Sequence, residues 1–285
     1  MFWWDHKGVD MKFWYVDAFT DQPFKGNPAG VFIVDDFPES IDMQTIAAEL
    51  NLSETTYVKK IKDNHFHIRW FSPKDEAPLC GHATIAASHV LKTEKMITSD
   101  HITFDSKAGE LSVRCDEAIG YELNFPEKEI VPCELLDTLR KALGDVNIQS
   151  VYKDDLVYLV VLDHAEAVQN LKPNLNKILK IDCRAVIVTA QGPSPEIDFV
   201  SRYFAPSVGI PEDPVCGSAH CRLTPFWAKR LNKLKMTAYQ SSKRTGYLAV
   251  TWCPDEKRVL ISGKAYTVGD ANLRLDIKKK YNIAA

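Results

Sequence analysis

Pro78-Leu79-Cys80-Gly81-His82-Ala83 and Pro214-Val215-Cys216-Gly217-Ser218-Ala219 are two copies of one segment. Each is preceded by a matching aromatic-x-Pro, Phe71-Ser72-Pro73 in the first case and Phe204-Ala205-Pro206 in the second. The echo continues downstream, where Phe104, Ser106, Gly109, Leu111 and Val113 align with Tyr239, Ser241, Gly246, Leu248 and Val250. The offset hardly drifts along the match, which points to a duplicated unit and to two halves related by an approximate two-fold. Each copy sets a cysteine just before a glycine that opens a helix. A cleft between such halves would show two thiols to one ligand from opposite sides, a geometry suited to moving a proton at carbon.

Working outward, the flanking sequence reads as strands with few helices. Phe13 to Ala18 and Gly30 to Asp35 are β-rich runs, separated by the loop formers of residues 21–28. Ser40 is expected to cap a helix in which Met43, Ile46, Ala47 and Leu50 share one buried face. Strands follow over 55–61 and 65–71, then a helix from Gly81 to about Leu91, then three strands ending at Phe125. In the second unit, strands fall at 158–162, 185–189 and 197–203, with a helix around 174–179 and a central helix from Gly217. Pro225 lies inside that helix and should bend it, since it lacks an amide and crowds the Cys221 carbonyl. Short connections between many strands predict an antiparallel or mixed sheet in each half. No glycine-rich phosphate loop is present, which removes the commonest reason to expect a nucleotide.

With 285 residues the chain can hold two domains of ordinary size. We expect an N-terminal domain over residues 11–128, a C-terminal domain over 129–271, and a final segment, about 272–285, returning to the first. Residues 127–132 read as the linker. Residues 1–10 read as an extension rather than a signal peptide, having neither a basic leader nor an apolar run of useful length. A net charge of −3 gives no reason to expect nucleic acid or a membrane surface, and no apolar stretch approaches the ~20 residues of a membrane span. The run Lys278-Lys279-Lys280 reads as a solvated face. Seven irregularly spaced cysteines fit a reducing, cytoplasmic setting.

Chemistry centres on the duplicated segment. A thiol near a helix N-terminus is more readily ionised, and the free amides of Gly81, His82, Gly217 and Ser218 would form two positive ends able to hold a carboxylate. Cys80 and Cys216 are therefore candidate site residues, whereas Cys115, Cys133, Cys183, Cys221 and Cys253 read as small buried fillers. His82 can be an ordinary satisfied histidine or a site residue. Asp213 can be a cap or a site carboxylate, and Glu54, on composition alone, is a solvated charge. Arg244 and Lys243 read as a solvated turn, with anion binding as the alternative. Zinc held by Cys80, His82, Cys216 and His220 is conceivable, but the spacing suits zinc poorly.

Asp17-Ala18-Phe19-Thr20, Gly26-Asn27-Pro28, Asn51-Leu52-Ser53-Glu54-Thr55, Cys80-Gly81-His82-Ala83-Thr84 and Asp213-Pro214-Val215-Cys216-Gly217-Ser218-Ala219 resemble the signature segments of the PhzF family. That family contains the phenazine-biosynthesis isomerase and its relatives. The resemblance extends from about Val16 to Asn272, with residues 261–269 similar to the closing strands. It implies an α+β fold like that of diaminopimelate epimerase and proline racemase. Two pseudo-symmetric domains are expected, each a barrel-like mixed or antiparallel sheet around a central helix, with the site in the cleft between them. It also implies a homodimer, a small anionic carboxylate substrate and neither cofactor nor metal. Carried over, the pattern makes Glu54 the general acid/base, His82 and Asp213 its polar partners, and Gly81, Gly217 and Ser218 the carboxylate site. Cys80 and Cys216 stand where the phenazine enzyme has other residues and the epimerases have their two bases. Three functions follow: a PhzF-like isomerase working through Glu54, a two-base epimerase or racemase using Cys80 and Cys216, and a non-catalytic carboxylate-binding protein.

Overall fold

A computed structural model describes residues 9–275; residues 1–8 and 276–285, and with them the lysine run and most of the N-terminal extension, lie outside the described residues. Strands β1 (Val9–Ala18) and β2 (Asn27–Val34) lead to α1 (Ser40–Leu50), β3 (Glu54–Lys62), β4 (His65–Phe71) and β5 (Glu76–Ala77). Then come α2 (Gly81–Thr93), β6 (His101–Ser106), β7 (Gly109–Asp116) and β8 (Gly120–Pro126). After β9 (Val131–Pro132) and α3 (Asp137–Leu143) come β10 (Ile148–Lys153), β11 (Val157–Leu162), α4 (Ala165–Gln169) and α5 (Leu175–Ile178). The chain continues through β12 (Ala185–Ser194), β13 (Ile197–Ala205), β14 (Ile210–Asp213) and α6 (Gly217–Leu231). It closes with β15 (Lys235–Gln240), β16 (Gly246–Cys253), β17 (Arg258–Gly263) and β18 (Ala265–Leu275).

All eighteen strands belong to one hydrogen-bonded network, and the order of pairings in its first part recurs in its second. β1–β2 is antiparallel, β2–β3 parallel, β3–β4 and β4–β5 antiparallel, β4–β6 parallel, and β6–β7 and β7–β8 antiparallel. The same alternation runs through β10–β11, β11–β12, β12–β13, β13–β14, β13–β15, β15–β16 and β16–β17. The fold is thus a large mixed sheet with few helices, as expected. Two strand pairs join the parts directly: β8 with β17, from Tyr121↔Gly263 to Pro126↔Arg258, and β1 with β18, from Val9↔Leu275 to Ala18↔Ala265.

Helix α2, rich in alanine and β-branched residues, is buried on nearly every side, as a helix wrapped by sheet must be. α6 is its counterpart and runs unbroken through Pro225. The Cys221 carbonyl that Pro225 cannot serve accepts the amide of Lys128 at 2.9 Å, so the expected linker is tied to the helix it passes. One hydrophobic cluster takes in both helices and includes Cys80 and Cys216; separate clusters lie beneath α1 and beneath α3–α5.

Several local expectations need correction. β1 starts at Val9, ahead of Met11. The cap of α1 is Glu39, and the Ser40 hydroxyl instead accepts a hydrogen bond from Arg69 Nη2 at 2.9 Å. Cys115 and Cys221 are buried, but Cys133, Cys183 and Cys253 are only half-buried. Arg244 is no free anion binder: its Nη2 lies 2.6 Å from Oδ1 of the fully buried Asp17, with further bonds to the carbonyls of Gly26 and Lys25. That ion pair bridges the two parts of the chain.

Phe19, with φ of 64°, is wedged at the same joint. A Cβ on Gly263 would lie 2.3 Å from its Cδ1, and one on Gly246 would lie 3.0 Å from its carbonyl oxygen and 2.5 Å from Val215 Cγ2. Gly263→Ala should therefore destabilise the protein by ~1–3 kcal/mol through overpacking. Gly269→Ala, with nothing within 4 Å of the new methyl, should stay within about 0.5 kcal/mol. Urea denaturation of the two variants checks the ranking.

Candidate active site

Both helix starts are built the same way. Cys80 and Cys216 are the N-cap residues of α2 and α6, extended at φ −142° and −97°, before backbones that turn helical at Gly81 and Gly217. The side chain two residues on meets each sulfur: His82 Nδ1 lies 3.3 Å from Cys80 Sγ, and Ser218 Oγ lies 3.3 Å from Cys216 Sγ. The first-turn amides of each helix have no intrahelical acceptor, so each start is a positive end. The two ends share one interior, since ionisation of the Cys80 thiol is opposed by Glu54, Asp213 and Cys216.

Burial, with these carboxylates, pushes the Cys80 thiol well up from its ordinary pKa, and burial with Asp213 does the same to Cys216. Both are therefore thiols, not thiolates, in this state. His82 is held neutral by burial, which lowers its pKa to about 3 against the pull of the Pro28 carbonyl; its Nε2 makes no hydrogen bond of good geometry.

Glu54 opens β3, beside Ala29 of the parallel strand β2. It is only 8% exposed and its Oε2 has no hydrogen-bond partner. Burial is the main cause raising its pKa to about 8, reinforced by the charges of Asp75 and Asp213. Composition had made it a solvated charge; it is instead a carboxyl kept protonated near neutrality. Asp213, at the end of β14, accepts Asn27 Nδ2 at 2.8 Å and the Val215 amide at 3.2 Å. Burial raises its pKa to about 6, less than for Glu54 because these bonds and Cys216 favour the charged form.

Glu54 and Cys80 from the first part are thus close enough to Asp213 and Cys216 from the second to interact electrostatically, and Gly81, His82, Gly217 and Ser218 follow the two cysteines in the helix starts. Asp75 and Asn27 complete the electrostatics and were not singled out from the sequence; Asn27 stood in a quoted motif with no role attached. Tyr203 lies opposite Asp213 in the β13–β14 pairing, whereas Tyr57 turns away to stack on Phe32 and bond the Met43 carbonyl. His220 also turns inward, donating Nδ1–H to the Cys216 carbonyl at 2.9 Å with its ring against Phe199. Cys80, His82, Cys216 and His220 accordingly do not gather as metal ligands. Among the described residues, His65, Asp105 and Glu110 alone bring three such atoms together, on an accessible face.

Residues 16–271 match the profile of a family described as phenazine biosynthesis-like protein, PhzC-PhzF. An uncharacterized isomerase of Pseudomonas aeruginosa is 44% identical over 271 residues, covering 94% of this chain and all of the relative. A PhzF-family crystal structure from Enterococcus faecalis is 38% identical and superposes with a TM-score of 0.88 over 94% of this chain and all of that one. A hydroxyproline epimerase from Agrobacterium vitis, solved with bound trans-4-hydroxy-L-proline, shares the fold at a TM-score of 0.60 and 11% identity, over 96% of this chain and 94% of that one.

A Cβ on Gly81 would come no nearer to its surroundings than the 3.7 Å to Leu123 and Phe125, and one on Gly217 would lie 3.6 Å from Phe19, all ordinary contacts. Protein packing does not demand glycine at either position, and a glycine there would let a ligand approach the backbone closely. Gly81→Ala and Gly217→Ala should fold with unchanged stability or a gain of up to ~1 kcal/mol from helix propensity. Carboxylate binding should weaken in both. Thermal melts and titration with a carboxylate ligand test this; a loss above ~2 kcal/mol in either variant would contradict it.

Proposed function

The chain belongs to the PhzC-PhzF family, and on that premise we propose that it is an isomerase that moves a proton on a small carboxylate substrate, with Glu54 as general acid/base. The observation that carries this reading is the burial of Glu54 with its Oε2 unpartnered, near Asp75 and Asp213, an environment that raises its pKa to about 8. A base poised near the working pH is basic enough to take a proton from carbon and acidic enough to give it back.

The substrate carboxylate would sit on the free amides of Gly81, His82, Gly217 and Ser218, whose positive ends offset its charge. Ionised Glu54 removes a proton from the carbon next to a C=C bond; the C–H electron pair becomes the new π bond to the middle carbon, and the old π pair shifts to the far carbon. The carboxylic acid so formed returns the proton to the far carbon on the same face, restoring the Glu54 carboxylate. Asp213 and His82 hydrogen-bond the substrate's polar groups and hold its reacting carbons against Glu54. No step calls for a cofactor.

The two-base alternative, with Cys80 and Cys216 on opposite faces, has the matched thiols in its favour. It needs one of them as thiolate, and burial beside carboxylates disfavours that form at both. A metabolite screen in D₂O, scoring which carboxylate gains deuterium and whether it inverts, separates the readings; binding without exchange would leave a non-catalytic binder.

On the substrate so found, Glu54→Gln should lower turnover by ~10²-fold or more, with smaller losses in Cys80→Ala and Cys216→Ala. Wild-type kcat/KM should rise with pH and level off above about 8 as Glu54 ionises. Severe loss in both cysteine variants with near-normal Glu54→Gln would reject the proposal.

Stability offers a check that needs no substrate. Glu54 binds its proton more tightly folded than unfolded, so the stability it contributes is present below its ordinary pKa of 4.5 and is lost as pH rises toward about 8. Glu54→Gln lacks this loss. Its stability relative to wild type should therefore grow across that window, measured by denaturant melts at several pH values.

A further inference from the structure

The second part of the chain brings Asp213 and Cys216 to the site on four consecutive residues, and the carbonyl of each is claimed by a side chain. Gln240 Nε2 donates to the Asp213 carbonyl at 2.7 Å, and Ser242 Oγ to that of Pro214 at 2.7 Å. Asn27 Nδ2 donates to the Val215 carbonyl at 2.9 Å, and His220 Nδ1 to that of Cys216 at 2.9 Å. Gln240 also closes the far end, since its Oε1 accepts the Cys216 amide at 2.9 Å. One amide thus spans the segment from its first carbonyl to its last N–H.

Gln240 and Asn27 are 0% and 1% exposed, so neither can exchange these bonds for water. They come from opposite parts of the chain, β15 and the start of β2, and Asn27 also holds Oδ1 of Asp213. The matching position in the first part is Asp105, which turns instead to His65 Nε2 at 2.9 Å on a half-exposed face. The clamp is thus peculiar to the second half of the site.

We propose that Gln240, assisted by Asn27, is a positioning residue that holds the Asp213–Cys216 backbone so that the Asp213 carboxylate and the Cys216 thiol keep their places in the cleft. Taking the Cys216 amide also leaves Gly217 and Ser218 as the α6 amides that face a ligand. The inference rests on the reading of Asp213 as a site residue, but its test does not use turnover.

The experiment is competitive labelling of the reduced, full-length protein with iodoacetamide, reading by peptide mass spectrometry the ratio of early alkylation at Cys216 to that at Cys80. Gln240→Met keeps the bulk and removes both hydrogen bonds, so it should raise the ratio by ~10-fold, the opening expected from leaving a buried amide and carbonyl unpaired. Asn27→Ser should raise it in the same direction, and decides the matter if Gln240→Met does not fold. Thr189→Val is the control for destabilisation alone: its hydroxyl bonds the Val200 carbonyl and Trp227 Nε1 two strands over from Gln240, outside the clamp's own hydrogen bonds. It should leave the ratio unchanged. A wild-type ratio in the clamp variants, or an equal rise in Thr189→Val, overturns the proposal. A shifted ratio with full activity in Glu54→Gln would preserve the clamp and sink only the Glu54 mechanism.

Discussion

A carboxyl group shut away from water, among charges of its own sign, is the constraint on which the rest of the site depends. Glu54 is buried, and Asp75 and Asp213 both oppose its ionisation. Burying an ionised carboxylate unpaired would cost several kcal/mol, so the group keeps its proton. No cation is among the causes that act on it; two helices start nearby, at Gly81 and Gly217, and their N-termini are positive ends. The interior then carries little negative charge near neutrality, and its buried carboxyl is half ionised only near pH 8.

Two halves are needed because no single helix start supplies this environment. The first brings Glu54 and His82, the second Asp213 and Ser218, and the joint between them is made of backbone pairing and buried contacts. β8 pairs with β17 and β1 with β18, while Phe19 fills the space that Gly246 and Gly263 leave. Asp17 and Arg244, far apart in sequence, close the same seam. The relative placement of the two helix starts follows from this seam.

Much of the frame was legible in the sequence because its signals are local. The cysteine-glycine pairs mark helix starts wherever the chain goes, and alternation and turn residues place most strands within a few residues. What was not legible is tertiary. Glu54 looks like any surface glutamate until the parallel pairing with β2 and the α2 start enclose it; only family resemblance pointed to it. Asn27 and Gln240 are ordinary polar residues whose partners lie 186 and 24 positions away or more. Arg244 finds Asp17 across 227 residues, Tyr57 faces α1 rather than the cleft, and the short helices α3 and α4 carry too little pattern to be seen.

Whether Glu54 holds its proton up to about pH 8 can be read by carboxyl-¹³C-glutamate NMR of the substrate-free protein. One glutamate carbon should titrate near pH 8 in the wild type and be missing from the Glu54→Gln spectrum. If every glutamate titrates at or below ~5, within the range of unperturbed side chains, Glu54 is an ordinary carboxylate and the account is wrong.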